Sequence, residues 1–358
     1  MVNNMKVIVV YPYSRRIEKI IELLETNISK DYEFLLVTNS IRRYQKCNDN
    51  IQNSRIVSAA EFDSGEFNYA VLWIVDSEEE VEFENDLMRR IGASLEQQKR
   101  VVVTRRLDLN ERAKLSRIEN ENLVLKRSAS IQQTILYDIQ TPVIVIDGLC
   151  PGIGGLKTGI DLMKAMRDRG YHVSLLGDSG DIAICGCRYI YDEFFDGGMT
   201  IQTKVHMFNN MLHEIEIEDN PDAIIVVVPD DYHIRLEVKK DNYGENLYAL
   251  SKSCDIDYVI ISTPYDYHRY CIDNSVNGYS DISSLCLKDI DTINICNMKL
   301  LIEETEMVGY PQWLSLDKSM CDELSDINRS PIVVSEDMEL VAQDIEDKLS
   351  VYSEAPRW

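Results

Sequence analysis

Short apolar runs bounded by charged or turn-forming residues recur along this chain, each followed by a stretch with helical spacing. The first, Lys6-Val7-Ile8-Val9-Val10-Tyr11, ends at Pro12. Ser14 then precedes Ile17, Ile20, Ile21, Leu24 and Ile28, whose spacing predicts a helix behind a capping residue. Phe34 to Thr38 is the next strand, Ser54 to Val57 a weaker one, and Tyr69 to Val75 a strongly apolar one closed by Asp76. Glu78 to Gln98 reads as helix, Arg100 to Thr104 as strand and Asp108 to Arg117 as a short helix. A strand that is apolar along its whole length is buried on both faces, which a parallel sheet between two helical layers achieves. The alternation therefore predicts an α/β fold with three layers.

At roughly 150 residues per domain, 358 residues predict two such domains. The periodicity weakens between Glu119 and Ile139, where polar Asn120-Glu121-Asn122 and Ser128-Ala129-Ser130 precede Gln140-Thr141-Pro142. We place a Rossmann- or flavodoxin-like α/β domain at 1–128, a linker at 129–140 and a larger acidic, P-loop-NTPase-like α/β domain at 141–358. The second domain repeats the rhythm. It has strands at Val143 to Ile146, Tyr171 to Leu176, Ala223 to Val228, Tyr258 to Ser262, Ser283 to Leu287 and Asp291 to Ile295. Helices are expected near Lys157 to Arg169, Thr200 to Ile217 and Ser335 to Leu349.

Charge is divided unevenly between these parts. Residues 1–140 carry 20 basic and 22 acidic side chains, whereas 141–358 carry 17 and 39, so nearly all of the net charge of −24 lies in the second part. A polyanionic surface repels phosphate backbones and anionic lipid, which argues against nucleic-acid and membrane partners and leaves a basic peptide or protein. No run approaches the ~18 to 20 apolar residues of a spanning helix, and the N-terminus lacks a signal-peptide core, so a cytoplasmic protein is expected. Nine scattered cysteines suit reduced, buried thiols rather than a disulfide framework.

The stretch Pro142-Val-Ile-Val-Ile-Asp-Gly148-Leu-Cys-Pro-Gly152-Ile-Gly154-Gly155-Leu156-Lys157-Thr158-Gly159 carries the most chemistry. A strand runs into a glycine-rich loop, and a Lys-Thr pair opens a helix. In that context backbone amides and a helix N-terminus cradle phosphate, lysine reaches the terminal phosphates and threonine holds magnesium. Gly152, Gly154, Gly155, Lys157 and Thr158 are therefore candidate binding residues for Mg-ATP or Mg-GTP. The consensus glycine before the lysine is replaced here by Leu156, so the loop is an irregular, P-loop-like one. Asp230, after the apolar run Ala223 to Val228, sits where such folds place a magnesium-holding acid, and is the candidate metal partner with Thr158. Asp178 follows the next strand and joins the same expected crevice.

Other constellations are weaker. Cys185-Gly186-Cys187 supplies at most half a zinc site. His206 and His213 share a helix face about two turns apart, and Tyr232-His233 and Tyr265 to Arg269 follow apolar strands at an edge where ligands bind. No G-x-S-x-G elbow exists.

The runs Thr141 to Gly148, Arg169-Gly-Tyr-His-Val-Ser-Leu-Leu-Gly-Asp-Ser179 and Asn220-Pro-Asp-Ala-Ile-Ile-Val-Val-Val-Pro229 resemble a group of bacterial peptide-maturation-system proteins. So does the opening Val9-Val10-Tyr11-Pro12-Tyr13-Ser14 with Asp31-Tyr-Glu-Phe-Leu-Leu-Val-Thr38. The resemblance implies an accessory protein of ribosomal-peptide biosynthesis, working beside a radical S-adenosylmethionine modifying enzyme and a small precursor peptide. Two functions stay open at this point. One is an accessory protein that binds the precursor peptide or the modifying enzyme through its acidic domain. The other is a nucleotide-dependent enzyme using Lys157, Thr158 and Asp230.

Overall fold

In the computed structural model the apolar runs pair into two separate parallel sheets. Described are residues 6–13, 17–18, 20–21, 32–39, 54–65, 67–76, 81–125, 135–149, 153, 155–191, 194, 198–228, 244–267, 289–301, 303, 307, 313–316, 332–334 and 337–354. The expected strand Ser283 to Leu287 and the far half of the first helix, with Leu24 and Ile28, lie outside them. By contacts the chain divides into Met1–Ser128 with Ser179–Asp192, and Ala129–Asp178 with Glu193–Trp358.

The first unit holds strands β1 (Lys6–Tyr11), β2 (Tyr32–Thr38), β3 (Ser54–Ser58), β4 (Val71–Ile74), β5 (Arg100–Val103) and β6 (Leu123–Leu125). They pair in parallel in the order β3-β2-β1-β4-β5-β6. This is the dinucleotide-fold order 3-2-1-4-5-6, not the flavodoxin order 2-1-3-4-5. Between the strands lie α1 (Ala59–Ser64), α2 (Met88–Glu96) and α3 (Leu109–Leu115). Ser58 caps α1 by accepting the Glu61 N–H, and α3 opens with an Asp108/Glu111 capping box. The core is built from Val9, Tyr11, Leu35, Val37, Leu72, Ile74, Val101 and Val103, with Leu87, Ile91 and Leu95 packed on them.

The single helix expected over Glu78 to Gln98 is instead one π turn at Phe83–Leu87 running into α2. From that turn Asp86 accepts hydrogen bonds from the Tyr11 hydroxyl and from Arg90 Nε. The Arg90 guanidinium is only 4% exposed; it lies 4.3 Å from the Tyr11 ring centroid and pairs bidentately with Asp63. Burial, and then the Asp86 hydrogen bond, push the Tyr11 hydroxyl up to about 12, so it stays a donor at neutral pH.

The second unit holds β7 (Val143–Gly148), α4 (Gly155–Asp168), β8 (Val173–Gly177), α5 (Ile201–Asp219), β9 (Ala223–Val227), α6 (Glu245–Ser251), β10 (Tyr258–Pro264), β11 (Thr292–Cys296), β12 (Ile332–Val334) and α7 (Met338–Glu354). Its six parallel strands are ordered β12-β11-β10-β7-β9-β8. Every residue of β7, β9 and β10 is buried, as strands covered on both faces require. Helices α4 and α7 pack together on one face. Helices α5 and α6 pack together, and right-handed crossovers put them on the other. The acidic helix α7 is docked by Asp344, which accepts from the buried Tyr258 hydroxyl, and by Lys348, which pairs with Asp291.

Candidate ligand site at the carboxyl edge of the second sheet

In order of appearance the second sheet reads 6-5-4-1-3-2, so its first strand, β7, has the third and fourth strands as neighbours. The chain leaves β7 toward one side of the sheet and later crosses to the other, which makes the carboxyl end of β7 the topological switch point where open α/β sheets hold ligands. The glycine run starts there. Gly148 closes β7, and α4 begins at Gly155, so the loop between them enters a helix of 14 residues at its positive end.

Close packing fixes where that helix end lies. A Cβ on Gly159 would stand 2.6 Å from Val227 Cγ2 and 3.1 Å from Leu175 Cδ1, so only glycine lets α4 press onto β9 and β8. Leu156 is buried and faces the core, which accounts for an apolar residue where the phosphate consensus has glycine. Lys157 is partly exposed and its ammonium lies 3.4 Å from Asp161, one turn along the same helix. Such an i,i+4 pair contributes about 0.2–0.5 kcal/mol, little enough for an anion at the helix start to recruit the lysine.

The end of β7 carries a buried polar layer. Gly148, Ser262 and Asn294 are in register across β7, β10 and β11, and all three are fully buried. Asn294 Nδ2 is 3.2 Å from Thr158 Oγ1, 3.4 Å from Ser262 Oγ and 3.5 Å from the Cys296 thiol. The Thr158 hydroxyl thus ties the first turn of α4 to the sheet. Asn294 Oδ1 is buried and finds no hydrogen-bond partner among the described residues. An acceptor left so costs about 1–3 kcal/mol, which a ligand donor or an ordered water recovers. Asp147, 1% exposed, accepts the Gly148 N–H at 2.8 Å.

The remaining sequence candidates divide by strand. Gly155, Lys157 and Thr158 stand together at the start of α4. Asp178 follows β8, two strand positions and so about 10 Å from the end of β7. Gly152, Gly154 and Asp230 lie outside the described residues, although β9, the strand before Asp230, is the direct neighbour of β7. Tyr232, His233, His268 and Arg269 are likewise outside.

His213 stacks on Tyr137 with centroids 3.6 Å apart, and among the described residues no group of three or more ligating side chains is placed to hold a metal. Cys185 donates to the Ile20 carbonyl at 3.7 Å, and burial, then Cys187, push its thiol well above the usual range. No described helix is long and apolar enough to cross a membrane.

Two side chains at this edge escape a motif search. Lys204, 5% exposed near the start of α5, is held by Asn246 Oδ1 at 2.8 Å and Glu245 at 3.0 Å and lies over the Phe194 ring. Its signal was positional, since Lys204 shares the helical spacing of the buried Phe208, Met211 and Ile215. Asn294 carried no signal beyond being a polar residue inside an apolar run.

No family model and no curated protein matches the chain. Among solved structures, the crystal structure of a DUF1611 family protein from Anabaena variabilis aligns with 96% of this chain and 99% of its own, at a TM-score of 0.60 and 11% identity. The MinD cell division protein of Aquifex aeolicus aligns over 61% of this chain and 99% of its own, at a TM-score of 0.32 and 17% identity. The first of these likenesses is one of fold: two parallel sheets with interleaved helices, an α/β chain of two domains.

Proposed function

We propose that the second unit binds a phosphate-bearing ligand, a magnesium nucleotide such as ATP or GTP, at the carboxyl end of β7. The observation that carries this reading is the run from β7 through the glycine loop into α4 at the switch point of the sheet. The amides of the first turn of α4 supply hydrogen bonds and Lys157 supplies charge. The Thr158 hydroxyl, engaged by Asn294, sets the position of the helix end. Calorimetric titration with ATP and GTP, with and without magnesium, tests the reading. Micromolar magnesium-dependent binding is expected, lost in Lys157→Ala while the melting temperature is kept, because that side chain is half out of the core. Absence of heat with both nucleotides overturns it.

A second reading rests on charge. The surplus of 39 acidic over 17 basic side chains in 141–358 suits an accessory protein of ribosomal-peptide maturation that holds a basic precursor peptide or a radical S-adenosylmethionine modifying enzyme. Binding of that kind weakens steeply with added salt. A precursor peptide whose affinity ignores salt between about 0.05 and 0.5 M would contradict the electrostatic part.

A further inference from the structure

A Rossmann-ordered sheet holds its ligands outside the carboxyl ends of its strands. In the first unit that place is taken by the chain itself. β1 ends there not in a glycine loop but in Tyr11-Pro12-Tyr13, with both tyrosines buried. The segment Ser179–Asp192, which belongs to this unit by its contacts, then returns to the edge.

Its 3-10 helix, Gly180–Cys185, is capped by Ser179 and carries Asp181, a side chain 1% exposed. One oxygen of the Asp181 carboxylate accepts the Thr104 hydroxyl at 2.6 Å, and the other accepts the Ser179 hydroxyl at 3.2 Å. The Asp76 N–H lies 3.4 and 3.3 Å from the two. Thr104 stands just past β5 and Asp76 just past β4, remote in sequence from Asp181, so the carboxylate does more than cap its own turn. Thr104 is itself aimed: its oxygen accepts the buried Trp73 indole N–H at 2.7 Å, which leaves the hydroxyl proton to go to the charged acceptor rather than to the Ile74 carbonyl at 3.2 Å. At the other end of the 3-10 helix, Cys185 reaches the Ile20 carbonyl in the helix that follows β1.

We propose that the carboxyl edge of the first unit is a carboxylate-recognition site filled in cis by Asp181. While Ser179–Asp192 is seated the unit takes no free ligand there, and the external group that competes for the place is a small carboxylate. The donor set fits that class. Outside the segment itself it offers the Thr104 hydroxyl and the Asp76 amide to a planar pair of oxygens, whereas a phosphate dianion brings a third oxygen and a second charge.

The test is chemical rescue in the full chain. Asp181→Ala leaves a carboxylate-sized gap beneath the Thr104 hydroxyl and the Asp76 N–H. Its melting temperature is expected to fall by about 5 °C or more. Sodium formate should restore at least half of the loss, sodium chloride and sodium phosphate at equal ionic strength should restore none, and the unaltered protein should respond to formate no more than to chloride. A variant that melts like the unaltered protein, or formate acting no better than chloride, overturns the proposal. Should Asp181→Ala fail to fold, Thr104→Val keeps the shape and removes the strongest donor. Hydrogen exchange at the Asp76 amide is then expected to rise at least tenfold, and unchanged exchange refutes the site.

Discussion

Glu216 gathers three hydrogen bonds on one carboxylate oxygen: the Gln140 and Thr141 N–H groups, each at 2.8 Å, and the Thr141 hydroxyl at 2.9 Å. With Asn209, which accepts the Tyr137 N–H and donates to the carbonyls of Tyr137 and Ser253, it fastens the approach to β7 onto α5. Burial raises the Glu216 carboxyl, but the hydrogen bonds from Thr141 and Gln140 outweigh it, with a smaller share from His213, and leave its pKa below the ordinary glutamate value. A carboxyl lowered in the folded state stabilises the fold above its unfolded pKa and loses that contribution as pH falls through its folded pKa. Glu216→Gln should therefore melt below the unaltered protein at pH 7, with the gap closing as pH falls below the ordinary glutamate value. Melting curves of both proteins across pH check this, and a gap that is constant with pH would show that the carboxylate charge plays no part. Residues such as Glu216, Asn209 and Asn294 were not legible in the sequence, because a polar side chain inside or beside an apolar run looks the same whether it serves water, a backbone turn or a ligand.

Two helical glycines separate packing from propensity at the level of whole elements. Gly159 of α4 has no room for a methyl group, whereas a Cβ on Gly92 of α2 meets nothing within 4 Å. In an open helix, replacing glycine by alanine gains about 0.5–1 kcal/mol. At Gly159 the overlap with Val227 and Leu175 reverses the sign, since overpacking a filled core typically costs about 1–3 kcal/mol. Gly92→Ala is thus expected to raise the urea midpoint and Gly159→Ala to lower it, and equal shifts would mean that α4 is not seated as described. Most elements were legible from periodicity alone: α4, α5, α7 and nearly every central strand fall within a few residues of where their apolar spacing put them. The misses are short or half-exposed. α1 and α6 have six and seven residues, too few to show a period, and β6 alternates between half-buried and exposed at the rim of its sheet. The π turn before α2 adds one residue to a helical phase that spacing alone reads as continuous.

Strand order is a property of the whole molecule that no local pattern encodes. The alternation of strands and helices announces parallel sheets, but whether a crossover moves left or right, past one neighbour or two, depends on which faces bury best together. Hence both sheets were foreseeable while 3-2-1-4-5-6 in one unit and 2-3-1-4-5-6 in the other were not. The return of Ser179–Asp192 to the first unit was hidden for the same reason, since its partners lie far along the chain. Charge, by contrast, is legible from the sequence and is distributed by unit. Met1–Ser128 with Ser179–Asp192 holds 21 basic and 23 acidic side chains, and the other unit holds 16 and 38. A net charge near −2 gives the first unit almost no self-repulsion, whereas −22 in the second opposes compaction at every distance inside a Debye length. That length shrinks from about 30 Å at 0.01 M salt to about 10 Å at 0.1 M, from the breadth of a domain to a third of it. Adding sodium chloride across this range should therefore raise the urea midpoint of amides in β7, β9 and β10 while leaving those of β1, β4 and β5 almost unmoved. Hydrogen exchange in a urea series resolves the two sets within one sample. Equal shifts in both would mean that the acidic side chains are already neutralised by their neighbours, and the electrostatic argument for a basic partner would fall with the prediction.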